Sequence, residues 1–240
     1  IELAERISEL GIQSVAVCLL NSYANGSNEK LVGELLSELV PQMQVTLSSE
    51  IAPQIREYPR TSTTCVNAYS TPFSEPYLNG LSEHIKARGS NTEPLIMLSN
   101  GGVVGARVAS GQPVRMIESG PAAGALAAGL LSKVFESDNL ISFDMGGTTA
   151  KACLIQNGEP LITGEFEVDR RYRFKPGSGM PITVPSVDMI EIGAGGGSIA
   201  RVDELGLLKV GPESAGSSPG PACYGLGGLK PCVTDADVFL

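Results

Sequence analysis

Residues 140–156 constrain the fold more than any other stretch. Leu140–Phe143 is an apolar run of strand length, and Ala152–Ile155 is another, closed by the turn signal Asn157-Gly158. Between them lies Asp144-Met145-Gly146-Gly147-Thr148-Thr149. Neither run is long enough for a helix, so the segment predicts strand, turn, strand. Glycine lets backbone N–H groups approach an anion with no Cβ in the way, and successive N–H groups in a tight turn make a concave anion site. Threonine hydroxyls add donors, and a carboxylate can hold Mg²⁺ through water. The pattern predicts a phosphate clamp: Gly146, Gly147, Thr148 and Thr149 on the phosphates, Asp144 as catalytic group and metal ligand. It is not a Walker A loop, because no Gly-Lys-Ser/Thr opens a helix, nor a Rossmann fingerprint, because a strand follows. A Gly-Gly hairpin turn with a solvated aspartate is the plain alternative.

Glycine is abundant overall, 29 of 240 residues, against a usual share of about 7%, and it is clustered. Glu191-Ile192-Gly193-Ala194-Gly195-Gly196-Gly197-Ser198 follows an apolar strand. A turn needs at most two glycines, so three in a row, costly in backbone entropy, point either to close approach of a nucleotide or to a flexible loop. Ser99-Asn100-Gly101-Gly102 repeats this logic more weakly. Glu118-Ser119-Gly120-Pro121 reads as the start of a small-residue helix, Pro121–Lys133, able to pack its backbone close against a neighbour.

The first half alternates helix and strand. Glu2–Leu10 is a helix, Val15–Leu20 a buried strand, and Asn28 caps a helix with Leu31, Leu35 and Leu39 on one side, ended by Pro41. Val45–Leu47 and Leu95–Leu98 read as strands, 51–64 as irregular, and Pro72–Arg88 as a helix with Tyr77, Leu78, Leu81 and Ile85 on one face. The second half reads as short strands, Val187–Ile192, Ile199–Val202 and Leu207–Val210, joined by glycine-rich turns. Gly211–Gly228 is too rich in Gly and Pro for regular structure. The class is α/β.

A net charge of −9 argues against sequence-independent binding to nucleic acid or to an anionic membrane. No apolar run approaches the ~18 residues of a membrane helix. Five cysteines, at 18, 65, 153, 223 and 232, include no C-x-x-C pair. A disulfide framework or zinc site is not expected, and a reducing cytoplasm suits the composition. Weaker candidates have bland readings: His84 as a solvated or packed residue, Cys65 and Cys223 as buried thiols, Arg56 and Arg60 as a loop pair binding an anion or Glu57, and Asp235 and Asp237 as helix caps or carboxylate ligands.

The ordered segments resemble the hydantoinase A/5-oxoprolinase family, which includes acetone carboxylase beta-type subunits. The resemblance runs along essentially the whole chain. It is carried by Val15–Tyr23, Arg56-Glu57-Tyr58-Pro59-Arg60 with Asn67-Ala68-Tyr69, Ser99–Gly102, Ser119–Gly124, Asp144–Thr149, Gly193–Ser198 and Pro219-Gly220-Pro221-Ala222-Cys223-Tyr224-Gly225.

It implies actin/Hsp70/sugar-kinase-like (ribonuclease H-like) lobes around an ATP cleft, incomplete in this chain. It implies ATP and Mg²⁺ as cofactors and ATP-driven opening of a cyclic amide, hydantoin or 5-oxoproline, or activation of a small carbonyl substrate. A B-type subunit or fused region is the implied partner, in a homo- or hetero-oligomer. Asp144–Thr149 is similar to the phosphate loop of that class. Gly193 and the run Gly195, Gly196, Gly197 and Ser198 are similar to its adenosine-side glycine motif. A sugar- or acid-kinase-like phosphotransferase and a non-catalytic partner-binding subunit remain as other readings.

Two departures stand out. Members of the family often carry Ser-Thr-Asp after the double glycine, where this chain has Thr149-Ala150-Lys151. An earlier phosphate loop is also missing. The chain is therefore expected to be a central piece of a longer protein: 1–55 ending an N-terminal domain, 56–240 a hydantoinase A-type domain, with the nucleotide lobe at about 118–240. Such a piece alone is expected to be inactive.

Overall fold

The structure is a computed structural model that describes residues 2–172 and 175–240. In chain order it runs α1 (Glu2–Glu9), β1 (Ser14–Val17), α2 (Ser27–Leu39), β2 (Gln44–Leu47), α3 (Ser48–Ile51), α4 (Glu57–Ala87), β3 (Leu95–Met97), β4 (Val103–Gly105), α5 (Ala106–Gly111) and α6 (Ser119–Val134). It continues with β5 (Leu140–Met145), β6 (Ala150–Gln156), β7 (Glu159–Pro160), β8 (Ile162–Thr163), β9 (Phe166–Val168), β10 (Met180–Ile182), β11 (Ser186–Val187), β12 (Ile190–Ile192), β13 (Ser198–Val202), β14 (Leu208–Ser214) and α7 (Val233–Phe239). The class is α/β, as expected. Two compact units divide it, Ile1–Ala122 with Ile162–Ser186, and Ala123–Leu161 with Val187–Leu240.

In the first unit, β1 and β2 pair in parallel, Ser14 opposite Gln44 through Val17 opposite Leu47. Ala4, Val17, Leu36, Val40, Met43 and Leu47 form the core between them and the helices α1 and α2. The face of α2 that packs inward carries Glu29, Gly33 and Leu36. Leu31, Leu35 and Leu39, expected to be its buried side, are exposed. The helix starts at Ser27, one residue before the expected cap Asn28, with Asn25 Oδ1 accepting from the Ser27 amide at 3.0 Å.

The largest departure from expectation is α4, 31 residues long and begun inside the stretch read as irregular. Its buried face is mostly polar: Arg60, Ser62, Thr63, Thr64, Asn67 and Thr71, with Ala68 and Leu78. Polar side chains can line a helix interior when their hydroxyls bond back to the carbonyl one turn earlier. Thr63 does so to Pro59, Thr64 to Arg60 and Thr71 to Asn67, at 2.7–2.8 Å. Pro72 removes the N–H that would bond the Ala68 carbonyl, and Ser14 Oγ of β1 donates to that carbonyl instead, at 2.7 Å. Of the expected apolar face of this helix, Leu78 is buried and Tyr77 exposed.

Two buried charges hold the two peptide groups that flank one residue, Leu19. Leu19 N–H donates to Glu29 Oε1 at 2.8 Å, and the Leu19 carbonyl accepts from Arg60 Nη2 at 2.8 Å. Glu29 is fully buried and also accepts from the Ser48 hydroxyl and the Ser49 amide. Burial alone would raise its pKa, but these hydrogen bonds, with Leu19 and Ser22, outweigh it and hold the carboxyl down to about 2. Arg60 is buried as well, its second nitrogen donating to the Gln54 carbonyl. The reading of Arg60 as a loop residue on an anion or surface pair is thereby corrected; Glu57 stands 4.0 Å away, half exposed.

In the second unit, β5, β6 and β12 form an antiparallel sheet in the order β12-β6-β5, with β7 continuing the β6 hairpin. Ser186–Val187 and Ile190–Ile192 divide the single strand expected at Val187–Ile192. β13 and β14 pair antiparallel, with a bulge between Ser198 and Ala200. β14 reaches Ser214, so regular structure extends into the Gly-Pro-rich stretch. α6 brings its backbone against the turn after β6: a Cβ on Gly129 would lie 2.7 Å from the Gly158 carbonyl oxygen. That is the close packing its small residues allow.

Candidate functional site

The β5–β6 hairpin delivers the predicted turn. Met145 and Ala150 are the last paired residues, and Gly146 N–H closes the loop on the Thr149 carbonyl at 2.9 Å. Asp144, Gly146, Gly147 and Thr148 are exposed and Thr149 half-buried. The amides of Gly147, Thr148 and Thr149 and both threonine hydroxyls have no hydrogen-bond partner among the described residues. An exposed turn with three consecutive uncommitted N–H groups, two hydroxyls and an adjacent carboxylate fits an anion with several oxygens.

The second glycine cluster lies directly against this turn. Gly196 N–H donates to the Gly146 carbonyl at 2.9 Å, and Gly197 N–H to the Gly147 carbonyl at 2.8 Å. A Cβ on Gly195 would stand 2.5 Å from Gly146 O and 2.6 Å from Thr148 N. Gly195 must therefore be bare for backbone to lie on backbone, while a Cβ on Gly197 would stand 3.0 Å from the Gly147 carbonyl oxygen and one on Gly196 would meet the Thr234 side chain. Ser198 Oγ accepts from the Gly195 amide at 2.9 Å and Ser198 N–H returns to the Gly195 carbonyl. Gly195, Gly197 and Ser198 are buried and Gly193 half-buried. This loop is tied down, not flexible, and its amides at 195–197 already have partners.

Across the sheet, Asp144 stands opposite Lys151, and Lys151 opposite Glu191 of β12. Directly opposed residues share a face, so an acid–base–acid row crosses the three strands next to the turn. Burial draws the Lys151 ammonium below its ordinary pKa, against the opposing pull of Glu191. The sequence showed Lys151 as a departure; the pairing that places it between two carboxylates was not legible in it. Among the described residues no group of three or more His, Cys, Asp or Glu side chains could hold a metal ion. A cation here would rest on Asp144 and on its own waters and ligands, which suits Mg²⁺.

The other candidates fall elsewhere. Ser99–Gly102 joins β3 to β4, with Ser99 buried and its hydroxyl donating to the Arg115 carbonyl at 2.6 Å, a structural hairpin. α6 begins at Ser119, which puts Gly120 and Pro121 in its first turn. His84 is exposed, its Nδ1 2.8 Å from the Gly80 carbonyl. Cys65 and Cys223 are exposed rather than buried. Partial burial raises the Cys65 thiol, and the hydrogen bond to Asp235 raises that of Cys223, so neither is disposed to ionise. Asp235 accepts from the Cys232 amide at the start of α7, at 2.8 Å, the capping role expected of it.

The profile of the hydantoinase/oxoprolinase family matches residues 60–240. Caprolactamase subunit alpha of Pseudomonas jessenii is 38% identical, over 97% of this chain and 32% of its own length. The 5-oxoprolinase of Saccharomyces cerevisiae is 36% identical, over 96% of this chain and 17% of its own length. Among solved structures, nucleotide-free acetone carboxylase, described as performing ATP-dependent acetone carboxylation, superposes with a TM-score of 0.77 at 28% identity, over 98% of this chain and 32% of that one. The chain spans about a third of the length of the relatives it matches first. In the described residues no helix is long and apolar enough to cross a membrane.

Proposed function

The chain belongs to the hydantoinase/oxoprolinase family, and from that premise we propose that it supplies the phosphate-binding turn of an ATP-dependent enzyme that activates an amide or carbonyl oxygen. The single observation that carries this reading is the Gly146–Thr149 turn, with three uncommitted amides and two hydroxyls beside Asp144 and a second glycine loop fixed beneath it. The names of the relatives, a caprolactamase, a 5-oxoprolinase and an ATP-dependent carboxylase, support the same reaction class.

The chemistry follows from what an amide lacks. Its carbon is a poor electrophile and its nitrogen a poor leaving group. Transfer of the γ-phosphoryl group to the carbonyl oxygen releases ADP and converts that oxygen into a leaving phosphate. Water then adds to the carbon and the ring C–N bond breaks, the nitrogen leaving as the protonated amine, and a second water hydrolyses the acyl phosphate that remains to carboxylate and free phosphate. Positioning and charge neutralisation do most of the work in phosphoryl transfer. Gly147, Thr148 and Thr149 bind the phosphate oxygens, while Gly193, Gly195, Gly196, Gly197 and Ser198 form the nucleoside side and hold the turn in place. Asp144 orients Mg²⁺, which when bound neutralises phosphate charge. The lobes belong to the actin/Hsp70/sugar-kinase-like class, with the nucleotide lobe at about 118–240. A hydantoinase B-type subunit or fused region completes the enzyme in the cytoplasm, in line with the subunit names of several relatives.

A cyclic amide is the favoured substrate, because the caprolactamase and 5-oxoprolinase relatives both exceed 35% identity. The test is phosphate release from ATP by the complete protein with its partner subunit, over hydantoin, 5-oxoproline, caprolactam and acetone. Release stimulated by a lactam, with the ring-opened amino acid as product, supports the reading. A phosphorylated product that persists, or an absence of nucleotide binding, overturns it.

A further inference from the structure

Gly196 is gripped from both sides. Its N–H bonds the phosphate turn at Gly146, and its carbonyl accepts the Thr234 N–H at 2.8 Å. The space a Cβ would fill on Gly196 is occupied by Thr234 Oγ1, at 2.7 Å. Thr234 lies in the first turn of α7, and the next residue, Asp235, fixes that turn. Asp235 Oδ1 accepts from the Cys223 amide at 2.7 Å, and Oδ2 from the Cys232 amide at 2.8 Å and the Cys232 thiol at 3.1 Å. One carboxylate thus joins the segment at Cys223 to the start of α7. The Ala200 amide, bonded to the Pro231 carbonyl at 2.8 Å, ties the same start to β13.

We propose that Asp235 is a positioning residue for the nucleotide: it locks the start of α7, and through Thr234 and Gly196 it fixes the Gly146–Thr149 turn in the form that receives phosphate. The inference rests on the reading of that turn as a phosphate site. It adds a residue some ninety positions along the chain and with no contact to the ligand. A charge-assisted acceptor suits this task, because bonds to an ionised carboxylate are shorter and stronger than neutral ones. The same bonds hold the Asp235 carboxyl well below the usual carboxylate range, so it is the ionised acceptor at neutral pH.

Cys232 supplies the reporter. It is 3% exposed and bonded to Asp235, so alkylation of its thiol requires the lock to open. The experiment measures the alkylation rate of each cysteine in the complete protein by peptide mass spectrometry, with and without Mg-ATP, beside direct titration of ATP affinity. Mg-ATP at roughly ten times its Kd is expected to slow Cys232 labelling about tenfold, while exposed Cys65 in the other unit reacts at an unchanged rate. Asp235→Asn is expected to speed Cys232 labelling and to weaken ATP binding about tenfold; Asp235→Glu should restore part of both. A Cys232 rate indifferent to bound ATP overturns the proposal with no variant needed. So does a folded Asp235→Asn protein with native ATP affinity. A native protein that binds no ATP overturns the phosphate reading itself, and the lock with it.

Discussion

Gly195 sits so close to Gly146 that a methyl group placed on it would stand 2.5 Å from the Gly146 carbonyl oxygen. Real carbons do not tolerate that distance, and the obstacle is backbone, which cannot swing aside as a side chain can. Gly195→Ala must therefore push the two loops apart. Because the Cβ points at the phosphate turn, ATP affinity is expected to fall at least about tenfold, or roughly 1.4 kcal/mol. Titration with ATP and a far-ultraviolet dichroism spectrum check this: weaker binding with an unchanged spectrum is the expected pair.

Asp144 is exposed at the end of β5 and supports no core packing. Asp144→Ala is expected to abolish Mg²⁺-dependent ATP turnover, by about a hundredfold or more, with thermal stability within about 0.5 kcal/mol of the native protein. Steady-state phosphate release and a melting curve read both. Unchanged turnover removes Asp144 from the chemistry.

Glu29 ties stability to pH. Its folded pKa, about 2, lies below the ordinary 4.5. The stability it contributes is therefore fully present above about pH 4.5 and is lost as pH falls toward 2. The shift corresponds to about 3 kcal/mol at neutral pH. Glu29→Gln should forfeit much of that amount and flatten the acid limb of a urea-denaturation series collected between pH 2 and 6.

Ser14 and Pro72 form a testable pair. Ser14→Ala leaves the buried Ala68 carbonyl unbonded and is expected to cost about 1–2 kcal/mol. Restoring an N–H with Pro72→Ala offers that carbonyl its helical partner again, so Ser14→Ala should cost less in the Pro72→Ala background. A double-mutant cycle by chemical denaturation measures the difference.

What the sequence disclosed was local. The run from Leu140 to Ile155 has strand length on each side of a double glycine, and it folds as read. The closeness of Gly195–Gly197 was legible as a need for bare backbone, but what approaches proved to be another turn of the same chain, about fifty residues earlier. No local pattern carries that. The first half of helix α4 escaped for a different reason. The polar stretch 51–64 read as irregular and the helix as opening at Pro72, whereas Pro59 lies in the first turn of α4, Ser14 answers for Pro72, and the threonines bond inward. Leu31, Leu35 and Leu39 misled because an apolar stripe marks a face that wants cover, not the face covered within this chain. Arg60 and Glu29 carry opposite charges more than thirty residues apart, and each reaches Leu19, Glu29 at its amide and Arg60 at its carbonyl.

Those two bonds at Leu19 have a consequence for motion. Residues around Leu19 belong to neither helix nor strand, yet two successive amide planes there are held, the first by a carboxylate at the Leu19 N–H and the second by a guanidinium at the Leu19 carbonyl, both ions out of solvent. Deuterium can replace the Leu19 proton only when the buried Glu29 carboxylate lets it go, so this irregular connection should exchange far more slowly than an ordinary loop.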